Sequence, residues 1–314
     1  MTDSRDTWTT DARYFEYSKV VNPVGHQTPK CPLGDFEHCL HEEGESRIIP
    51  LDLSAQLKCP APATSPNLCA NFIRITPGQQ VATTVNATSQ LFFVIRGKGR
   101  TETNGEAISW TPHDLFTLPV GSATHRAESD AALYWVHDAP LLTYLGVRAD
   151  APRFKPTMYR HEDEDRELKK VQDDPRAASR NRISVLLANK NFTQTETVTP
   201  VLWAMYGVLP TGTIQLPHRH QSVALDLIID CQPGCYTLLG ESLDKEGNIV
   251  NSVRADWKNA SAFVTPPGWW HAHYNESGAD AHLLPIQDAG LQTHMRTLDI
   301  HFVHPNHESH ISLK

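Results

Sequence analysis

Three histidines in the second half of the chain have the residue type and spacing of a metal site. His218 and His220 are separated by one residue, and His271 follows later in the chain. Side chains alternate between the two faces of a β-strand, so His218 and His220 point to the same face and His271 can complete a set of three imidazoles. Three neutral imidazoles suit a divalent transition metal and leave several positions of an octahedral ion open to other ligands.

The residues around these histidines resemble the two sequence motifs of the cupin superfamily. Gly212 precedes the HRH segment of the first motif, and the segment from Pro266 to Asn275 matches the second motif, P-x-G-x-x-H-x-x-x-N. Within the cupins, the segments HRHQSVALDLII and PPGWWHAHYN look like those of the gentisate and salicylate ring-cleaving dioxygenases. The resemblance is strong over residues 207–275 and extends more weakly to a layout of two barrels.

This resemblance implies an all-β fold of two tandem cupin barrels, the jelly-roll or double-stranded β-helix type, joined by a short helical linker. It implies a non-haem iron(II) dioxygenase that cleaves a hydroxylated or amino-substituted aromatic ring with O2, although manganese and nickel also accept imidazoles. Ala224 and Leu225 stand where many cupins carry a glutamate ligand. His273 matches the second histidine of the family's His-x-His, which implies proton transfer or hydrogen bonding beside the metal.

Asp226 departs from the resembled family, which carries an arginine at this position and uses it to bind the substrate carboxylate. Asp226 has the parity of His218 and His220, so a continuous strand would direct it into the same cavity. An aspartate there repels a carboxylate and favours a hydrogen-bond donor, so we expect gentisate to be a poor substrate. Pairing of Asp226 with Arg254 or another basic residue is the structural alternative. The resembled enzymes also hold their metal in the N-terminal barrel.

Three further residues near the histidines are candidates for substrate binding. Trp269 and Trp270 directly precede the third histidine and can line a pocket for an aromatic ring or fill the mouth of the barrel. Ser222 follows the first two histidines and is the third candidate. Arg219 lies on the opposite strand face from these histidines, and we expect it to be a structural ion-pair partner.

Two other classes of function stay open at this stage. One is a metal-dependent lyase or isomerase acting on a small polar metabolite, and the other is a non-catalytic bicupin that binds a small molecule. A dioxygenase consumes O2 with its substrate, whereas a lyase or isomerase turns over without it. The chain carries no DNA-binding motif that would support a transcriptional sensor.

Composition favours a turn-rich β protein and disfavours several kinds of partner. The chain has 314 residues, 22 prolines and 17 glycines, enough length for two ordinary domains. A net charge of -8 without a basic cluster disfavours nucleic acid and anionic membranes. The sequence shows neither a secretory signal nor an apolar run of roughly 20 residues that would span a bilayer, so we expect a cytoplasmic protein. We therefore expect its six cysteines to be free thiols.

The elements that must position the histidines are short strands punctuated by turns. The chain is predicted to comprise an N-terminal arm over residues 1–45, a degenerate barrel over 46–150, a linker over 151–182 and the metal-binding barrel over 183–314. The linker contains a charge-dense segment of good helix formers and is predicted to form a solvated helix.

The first barrel is predicted to have lost its metal. Counting on from Gly78 as from the corresponding glycine of the second barrel places Thr84 and Asn86 where the first two histidines belong, and Thr124 takes the third position. His125 comes one residue later, and such a slip turns a strand side chain to the opposite face. We interpret this barrel as structural.

The two ends of the chain carry less specific patterns. Four aromatic residues of the N-terminal arm predict packing on a partner surface and hence a homo-oligomer: Tyr14, Phe15, Tyr17 and Phe36. Four histidines recur at every third position near the other end: His301, His304, His307 and His310. Pro305 interrupts any helix there, so we interpret the segment as an incidental tail rather than a metal site.

Overall fold

A computed structural model describes residues 7–177 and 180–303 of the chain. The chain forms a small N-terminal unit that ends at Lys30 and a large compact unit that begins at Cys31. Within the small unit, the structure contains a 3-10 helix, Thr7–Thr9, and a short helix α1, Tyr17–Val20. His304, His307 and His310 of the predicted tail and the first six residues of the predicted arm lie outside the described residues. The predicted domain boundaries stay predictions.

Strands dominate the large unit, which confirms the predicted all-β class. In its first half the elements are β1 Asp35–Phe36, α2 Cys39–Glu42, β2 Arg47–Pro50, α3 Ser54–Leu57, β3 Cys69–Ile75, β4 Gln80–Thr83, β5 Gln90–Arg96, β6 Gly99–Thr103, β7 Glu106–Trp110, β8 Leu115–Leu118, β9 Ala123–Ala127, β10 Ala131–His137, α4 Ala139–Leu145, β11 Thr157–Tyr159 and α5 His161–Gln172. In its second half they are β12 Ile183–Leu187, β13 Trp203–Leu209, β14 Ile214–His220, β15 Ala224–Asp230, β16 Cys235–Gly240, β17 Ser242–Leu243, β18 Ile249–Val250, β19 Val253–Asp256, β20 Ala262–Thr265, β21 Trp270–Asn275, β22 Ala281–Gln287, α6 Ala289–Met295 and β23 Ile300–Phe302. No described helix is long and apolar enough to cross a membrane.

The first barrel consists of two antiparallel sheets. One has the strand order β11-β8-β5-β10-β3-β2, and the other has the order β4-β9-β6-β7. The central strands β3 and β10 are buried along their whole length, which explains why their sequences CANFIRI and AALYWVH are nearly continuous apolar runs. Inside the barrel, the ring of Phe92 stacks on Phe116 and on Trp135.

The second barrel has the same construction. Its sheets have the strand orders β1-β20-β15-β22-β13-β12 and β19-β16-β21-β14-β23. Strand β1, which lies within the predicted N-terminal arm, pairs with β20, and Phe36 packs against the buried core. Phe36 was therefore wrongly predicted to pack on a partner surface, because it joins the second barrel of its own chain.

One continuous cluster of buried apolar side chains joins the two barrels. Phe72, Phe93 and Tyr134 contribute to this cluster from the first barrel, and Leu225 and Leu227 contribute from strand β15 of the second. Alternation along β15 therefore directs residues 225 and 227 toward the first barrel and residues 226 and 228 toward the interior of the second. The first barrel thus supports one wall of the barrel that carries the histidines.

All six cysteines are free thiols, as predicted. Burial raises the pKa of the Cys69 thiol to about 12 and has the same effect on Cys231. Both thiols are neutral at physiological pH, which gives them the character of small core side chains.

The charge-dense linker segment forms helix α5, as predicted, but one face of the helix is buried. Glu164 and Leu168 lie on this face, and the hydroxyl of Tyr206 in strand β13 donates to Asp165 at 2.7 Å. Both carboxyl oxygens of Glu164 are buried without a hydrogen-bond partner among the described residues. Burial, followed by the negative charges of Asp114, Asp165 and Asp163, raises the pKa of Glu164 to about 9. The helix therefore docks through a protonated carboxyl group.

Replacing Glu164 with glutamine tests this protonation. Because its pKa is raised in the folded state, wild type retains a proton there that the unfolded chain releases above pH 4.5, so its contribution to stability is lost as pH rises. Between pH 5.5 and 8 we expect the free energy of unfolding of metal-free wild type to fall by about 2 to 3 kcal/mol relative to Glu164→Gln. Urea unfolding across this range measures the difference. Glu162→Gln, on the exposed face, is the matched control, and an unchanged pH slope in Glu164→Gln would contradict the assignment.

Candidate metal centre

The three predicted ligands meet inside the second barrel. Strands β14 and β21 are antiparallel neighbours, and His218 pairs directly with His271 across them. The centroids of the His218 and His271 rings are 4.0 Å apart, and those of His220 and His271 are 4.9 Å apart. One ring nitrogen from each of the three histidines lies within 4.8 Å of the others, and all three side chains are buried. This geometry can hold a single metal ion.

A β-bulge in strand β14 lies directly before the first two histidines. Gln215 lies opposite His273 and His218 lies opposite His271, so three steps along β14 match two steps along β21. The extra residue brings Gln215 to the same side as His218, where its amide nitrogen lies 3.4 Å from Nε2 of His218. The bulge therefore adds a polar group to the interior without displacing the ligands.

Hydrogen bonds fix the tautomer of each ligand. In every case Nδ1 faces a backbone carbonyl oxygen, at 3.2 Å for His218, 2.8 Å for His220 and 3.1 Å for His271. A carbonyl oxygen only accepts, so Nδ1 carries the proton and Nε2 presents its lone pair. Amide nitrogens of Gln215 and Gln287 face Nε2 of His218 and His220, which agrees with that assignment. The donor set therefore fits a divalent transition metal bound through Nε2.

The electrostatic environment keeps these ligands neutral. Burial is the main cause that lowers the pKa of His220 to about 4, and it also lowers the pKa of His218 and His271 well below the usual value. Because these imidazoles are neutral near physiological pH, protons do not compete with a metal for their nitrogen lone pairs.

Asp226 is buried, and its carboxylate accepts a hydrogen bond of 2.7 Å from the Thr265 hydroxyl. Burial raises its pKa to about 6. The premise of a continuous strand was wrong, because β14 ends at His220 and β15 begins at Ala224 in the other sheet. The alternative prediction that Asp226 pairs with Arg254 was also wrong, since Arg254 pairs with Asp256 at 2.8 Å.

Arg182 is the main site residue that sequence reasoning missed. It precedes strand β12, its Nη2 is buried without a hydrogen-bond partner among the described residues, and its Nη1 lies 3.8 Å from the sulfur of Met205. Its positive charge partly opposes the rise that burial causes in the pKa of Asp226. The same charge contributes to the lowered pKa of His218. A cavity of about 100 Å³ is lined by Arg182 and Gln215. The only sequence signal was a basic residue directly before an apolar run, at the last position of the predicted linker.

Trp203 is a second missed residue. Leu202 and Ala204, its neighbours in sequence, join the core shared by the barrels, so alternation directs Trp203 toward the interior of the second barrel. Its indole nitrogen is buried without a hydrogen-bond partner among the described residues. Trp203 lies opposite Gln287 in the register of β13 and β22. The interior thus contains two unsatisfied donors, from Arg182 and Trp203.

The structure gives the three candidates for substrate binding different surroundings. The Ser222 hydroxyl donates to Gln287 at 2.9 Å and lies 3.0 Å from Nδ1 of His220, contacts that support a ligand. Trp269 is partly buried against the interior cluster of the second barrel. Trp270 alternates with His271 and lies under the guanidinium of Arg219, 5.2 Å from the ring centroid, on the opposite face of the sheet. The substrate-binding roles stay predictions, and the surroundings of Trp270 argue against its role.

The C-terminal strand β23 pairs with β14 beside the ligands. Phe302 lies opposite His218, and the two rings stack with centroids 5.9 Å apart. His301 lies opposite Arg219, and its Nε2 lies 2.6 Å from a carboxylate oxygen of Asp299. The interpretation of this segment as an incidental tail is therefore wrong for residues 300–302, which belong to the sheet.

The positions predicted for the lost ligands of the first barrel were wrong by one residue. Thr83 pairs with Ala123 as His218 pairs with His271, so these two residues occupy the ligand positions that had been assigned to Thr84 and Thr124. The bulge in β14, which the corresponding strand β4 lacks, explains the shift at Thr84. The shift at Thr124 has a different cause, because Ala123 follows Gly121 by two residues whereas His271 follows Gly268 by three. Neither the hydroxyl of Thr83 nor the methyl group of Ala123 supplies an imidazole.

Asn86, the third of these assigned positions, makes structural contacts instead. Its amide donates to the carbonyl of Val147 at 2.8 Å and accepts from the backbone nitrogen of Ala149 at 3.0 Å. His125 lies in the register position of His273, opposite Thr101 as His273 lies opposite Thr237. The absence of metal from this barrel stays a prediction.

Comparisons with known proteins support the resemblance read from the motifs. No family model matches the chain. A 5-nitrosalicylic acid 1,2-dioxygenase from Bradyrhizobium sp is 33% identical over 84 residues, which cover 26% of this chain and 41% of that protein. A 5-aminosalicylate 1,2-dioxygenase from Comamonas sp is 33% identical over 87 residues, which cover 27% of this chain and 23% of that protein. The matches thus span less than half the length of these curated relatives.

A structural comparison covers nearly the whole chain. The crystal structure of a salicylate 1,2-dioxygenase from Pseudaminobacter salicylatoxidans superimposes with a TM-score of 0.71, covering 96% of this chain and 99% of that one at 15% identity. The chain therefore has the bicupin fold of the gentisate and salicylate dioxygenases, and the predicted fold and resemblance are confirmed.

Removing the first two ligands tests the metal site. We expect purified wild type, loaded anaerobically, to bind one divalent ion per chain, and the His218→Ala, His220→Ala double variant to lose at least about tenfold in affinity because two of three nitrogen donors are gone. Competition with a chromophoric chelator and elemental analysis measure affinity and stoichiometry. His282→Ala, which removes a histidine paired with Asp230 away from the triad, is the control. Undiminished binding in the double variant would refute the site.

Proposed function

We propose that this protein is a non-haem iron(II)-dependent dioxygenase that cleaves a hydroxylated or amino-substituted aromatic ring with O2. The observation that carries the proposal is the triad of buried, neutral histidines whose Nε2 lone pairs converge, with no carboxylate among them. Three imidazoles leave further positions on an octahedral ion for substrate and dioxygen. The salicylate-type activities of the two curated relatives support this reaction class.

The metal, when bound, supplies the oxygen chemistry and a binding point for a hydroxyl or amine pair on the substrate ring. The choice of iron over manganese or nickel rests on the resemblance to iron dioxygenases, since the donor set itself accepts all three. The protein residues hold the ring, exclude water and place hydrogen-bonding groups around it. The burial of His218, His220, His271 and His273 supports such a dry site.

Opposite charges in the barrel interior favour a substrate with two different polar substituents. The unsatisfied Arg182 Nη2 and Trp203 Nε1 are donors that suit a carboxylate, and the Asp226 carboxylate suits an amino or hydroxyl group. We therefore propose an amino- or hydroxy-substituted salicylate-like compound, of which the aminosalicylate named for one relative is an example. The expectation that gentisate is poor assumed no arginine near Asp226, and Arg182 removes this premise.

The proposed site has defined roles for its residues. His218, His220 and His271 bind the metal, His273 hydrogen bonds beside it, and Asp226 recognises the donor substituent. Trp269 borders the interior cluster and can contact the ring. Ser222 supports His220 and orients Gln287, whose amide nitrogen points toward Nε2 of His220.

Oxygen uptake with a panel of substituted salicylates tests the reaction and the role of Asp226. We expect 5-aminosalicylate to exceed 5-nitrosalicylate by at least about tenfold in kcat/KM, because a nitro group only accepts hydrogen bonds and leaves the buried Asp226 carboxylate without the donor that an amino group supplies. Asp226→Asn is expected to reduce this preference. If wild type and Asp226→Asn prefer 5-aminosalicylate over 5-nitrosalicylate equally, Asp226 does not recognise the substrate. Turnover without O2 would place the protein in the lyase or isomerase class.

Arg182→Met is the companion variant in the same assay. Loss of the guanidinium is expected to raise KM for salicylates while leaving aminophenols, which lack a carboxylate, little changed. Arg254→Met is the control, because Arg254 pairs with Asp256 on the exposed surface.

We further propose a homodimer or larger homo-oligomer in the cytoplasm, acting on a small aromatic substrate and O2 without nucleic acid or membrane. Tyr14, Phe15 and Tyr17 of the N-terminal unit are exposed, which supports an interface role for these aromatic side chains.

Light scattering measures the oligomer directly. We expect a mass at least twice the 35.1 kDa of one chain, and a lower mass after replacement of Tyr14, Phe15 and Tyr17 by serine. A wild-type mass of a single chain across the concentration range would contradict the proposal. Replacement of exposed Tyr144 by serine is the control for surface hydrophobicity in general.

A further inference from the structure

The ring of His273 is held by a relay of side-chain hydrogen bonds that lies behind the metal site. The indole nitrogen of Trp257 donates to Thr237 Oγ1 at 2.8 Å, and Thr237 Oγ1 lies 2.7 Å from Nδ1 of His273. All three side chains are buried. The His273 ring centroid lies 5.8 Å from that of His218 and 5.7 Å from that of His271, so Nε2 is the nitrogen left to face the interior.

The chemistry of the relay sets its direction. An indole N–H only donates, so Trp257 occupies an acceptor site on Thr237 Oγ1. Among the described residues the hydroxyl has hydrogen bonds only to Trp257 and His273, so its own proton goes to Nδ1 of His273. Nδ1 is then an acceptor and Nε2 carries the proton. His273 thus has the opposite tautomer from the three ligands, whose Nδ1 atoms donate to carbonyl oxygens.

The first barrel repeats the relay, although Thr83 and Ala123 occupy the register positions of His218 and His271. Trp110 donates to Thr101 Oγ1 at 3.0 Å, and Thr101 Oγ1 lies 2.8 Å from Nδ1 of His125. Nε2 of His125 lies 3.0 Å from the hydroxyl oxygen of Thr83, the residue at the register position of His218. In this barrel the same relay therefore directs a histidine N–H at an oxygen acceptor beside the former ligand position.

We propose that Thr237 and Trp257 are positioning residues. They hold His273 with its proton on Nε2, so that the ring is a hydrogen-bond donor toward the barrel interior beside the metal site. This inference rests on the proposed function for its catalytic meaning. A donor at this point stabilises negative charge that develops on a substrate oxygen, and it cannot remove a proton from the substrate. The resemblance alone left proton transfer and hydrogen bonding both open for His273.

Nitrogen NMR of histidine-labelled protein tests the tautomer without reference to turnover. Long-range proton-nitrogen spectra of the zinc-loaded protein distinguish protonated from unprotonated ring nitrogens, and His273→Gln assigns the signals. We expect wild type and Thr237→Ser to show His273 with Nε2 protonated and Nδ1 unprotonated. Thr237→Val, which lacks the hydroxyl, is expected to lose this pure tautomer. Thr101→Val is the matched control and is expected to change His125 while leaving His273 unchanged.

Two results would overturn the inference. One is a proton on Nδ1 of His273 in wild type, and the other is an unchanged tautomer in Thr237→Val. The wild-type spectrum alone decides if the valine variant fails to fold. In oxygen-uptake assays, Thr237→Val is expected to lower kcat by about 10- to 100-fold with rescue by Thr237→Ser. Absence of oxygen uptake in wild type would refute the proposed function while the spectra still decide the tautomer.

Discussion

Four imidazoles can share the buried interior of one barrel only if each is uncharged and each Nδ1 has a hydrogen-bond partner. Backbone carbonyl oxygens meet this requirement for the ligands His218, His220 and His271, which leaves their lone pairs directed inward. At His273 the partner of Nδ1 is instead a threonine hydroxyl, that of Thr237. An unpaired polar group at this depth costs about 1 to 3 kcal/mol, so the hydrogen-bond directions and the fold depend on each other.

The two barrels have diverged at the ligands and not at the support behind them. Thr83 and Ala123 occupy ligand positions in the first barrel, yet the indole, hydroxyl and imidazole relay that ends at His125 remains satisfied and buried. Removing one member of a buried polar chain would leave its neighbours without partners, whereas a metal ligand can be replaced by a small residue without that cost. Through the apolar core that the two barrels share, the first barrel packs against one side of the second barrel and supports it.

Sequence reasoning succeeded where the relevant physics is local. Strand alternation and motif spacing predict that His218, His220 and His271 meet, and the structure brings their ring nitrogens together, because the side-chain period of a strand is fixed by its backbone. It failed at Thr84 in the first barrel, because a single bulge in β14 shifts the count and no residue type marks a bulge. It also missed Arg182, which only the pairing of distant strands brings beside Asp226, and the strand at Phe36, which joins the far barrel.

Under the proposed function, the relation of Arg182 to Asp226 provides a physical basis for selection between substrates. Asp226 accepts one hydrogen bond from Thr265, and Arg182 keeps a buried nitrogen without a partner, so the described residues do not fully compensate either charge. Buried charges without complete partners cost stability unless a bound group completes them. A ligand that carries a carboxylate and a donor satisfies both residues at once, whereas a ligand with either group alone leaves one of them buried and unpaired. Under this proposal, selectivity arises from the penalty imposed on the incomplete ligand, which is larger than the attraction of either contact in water.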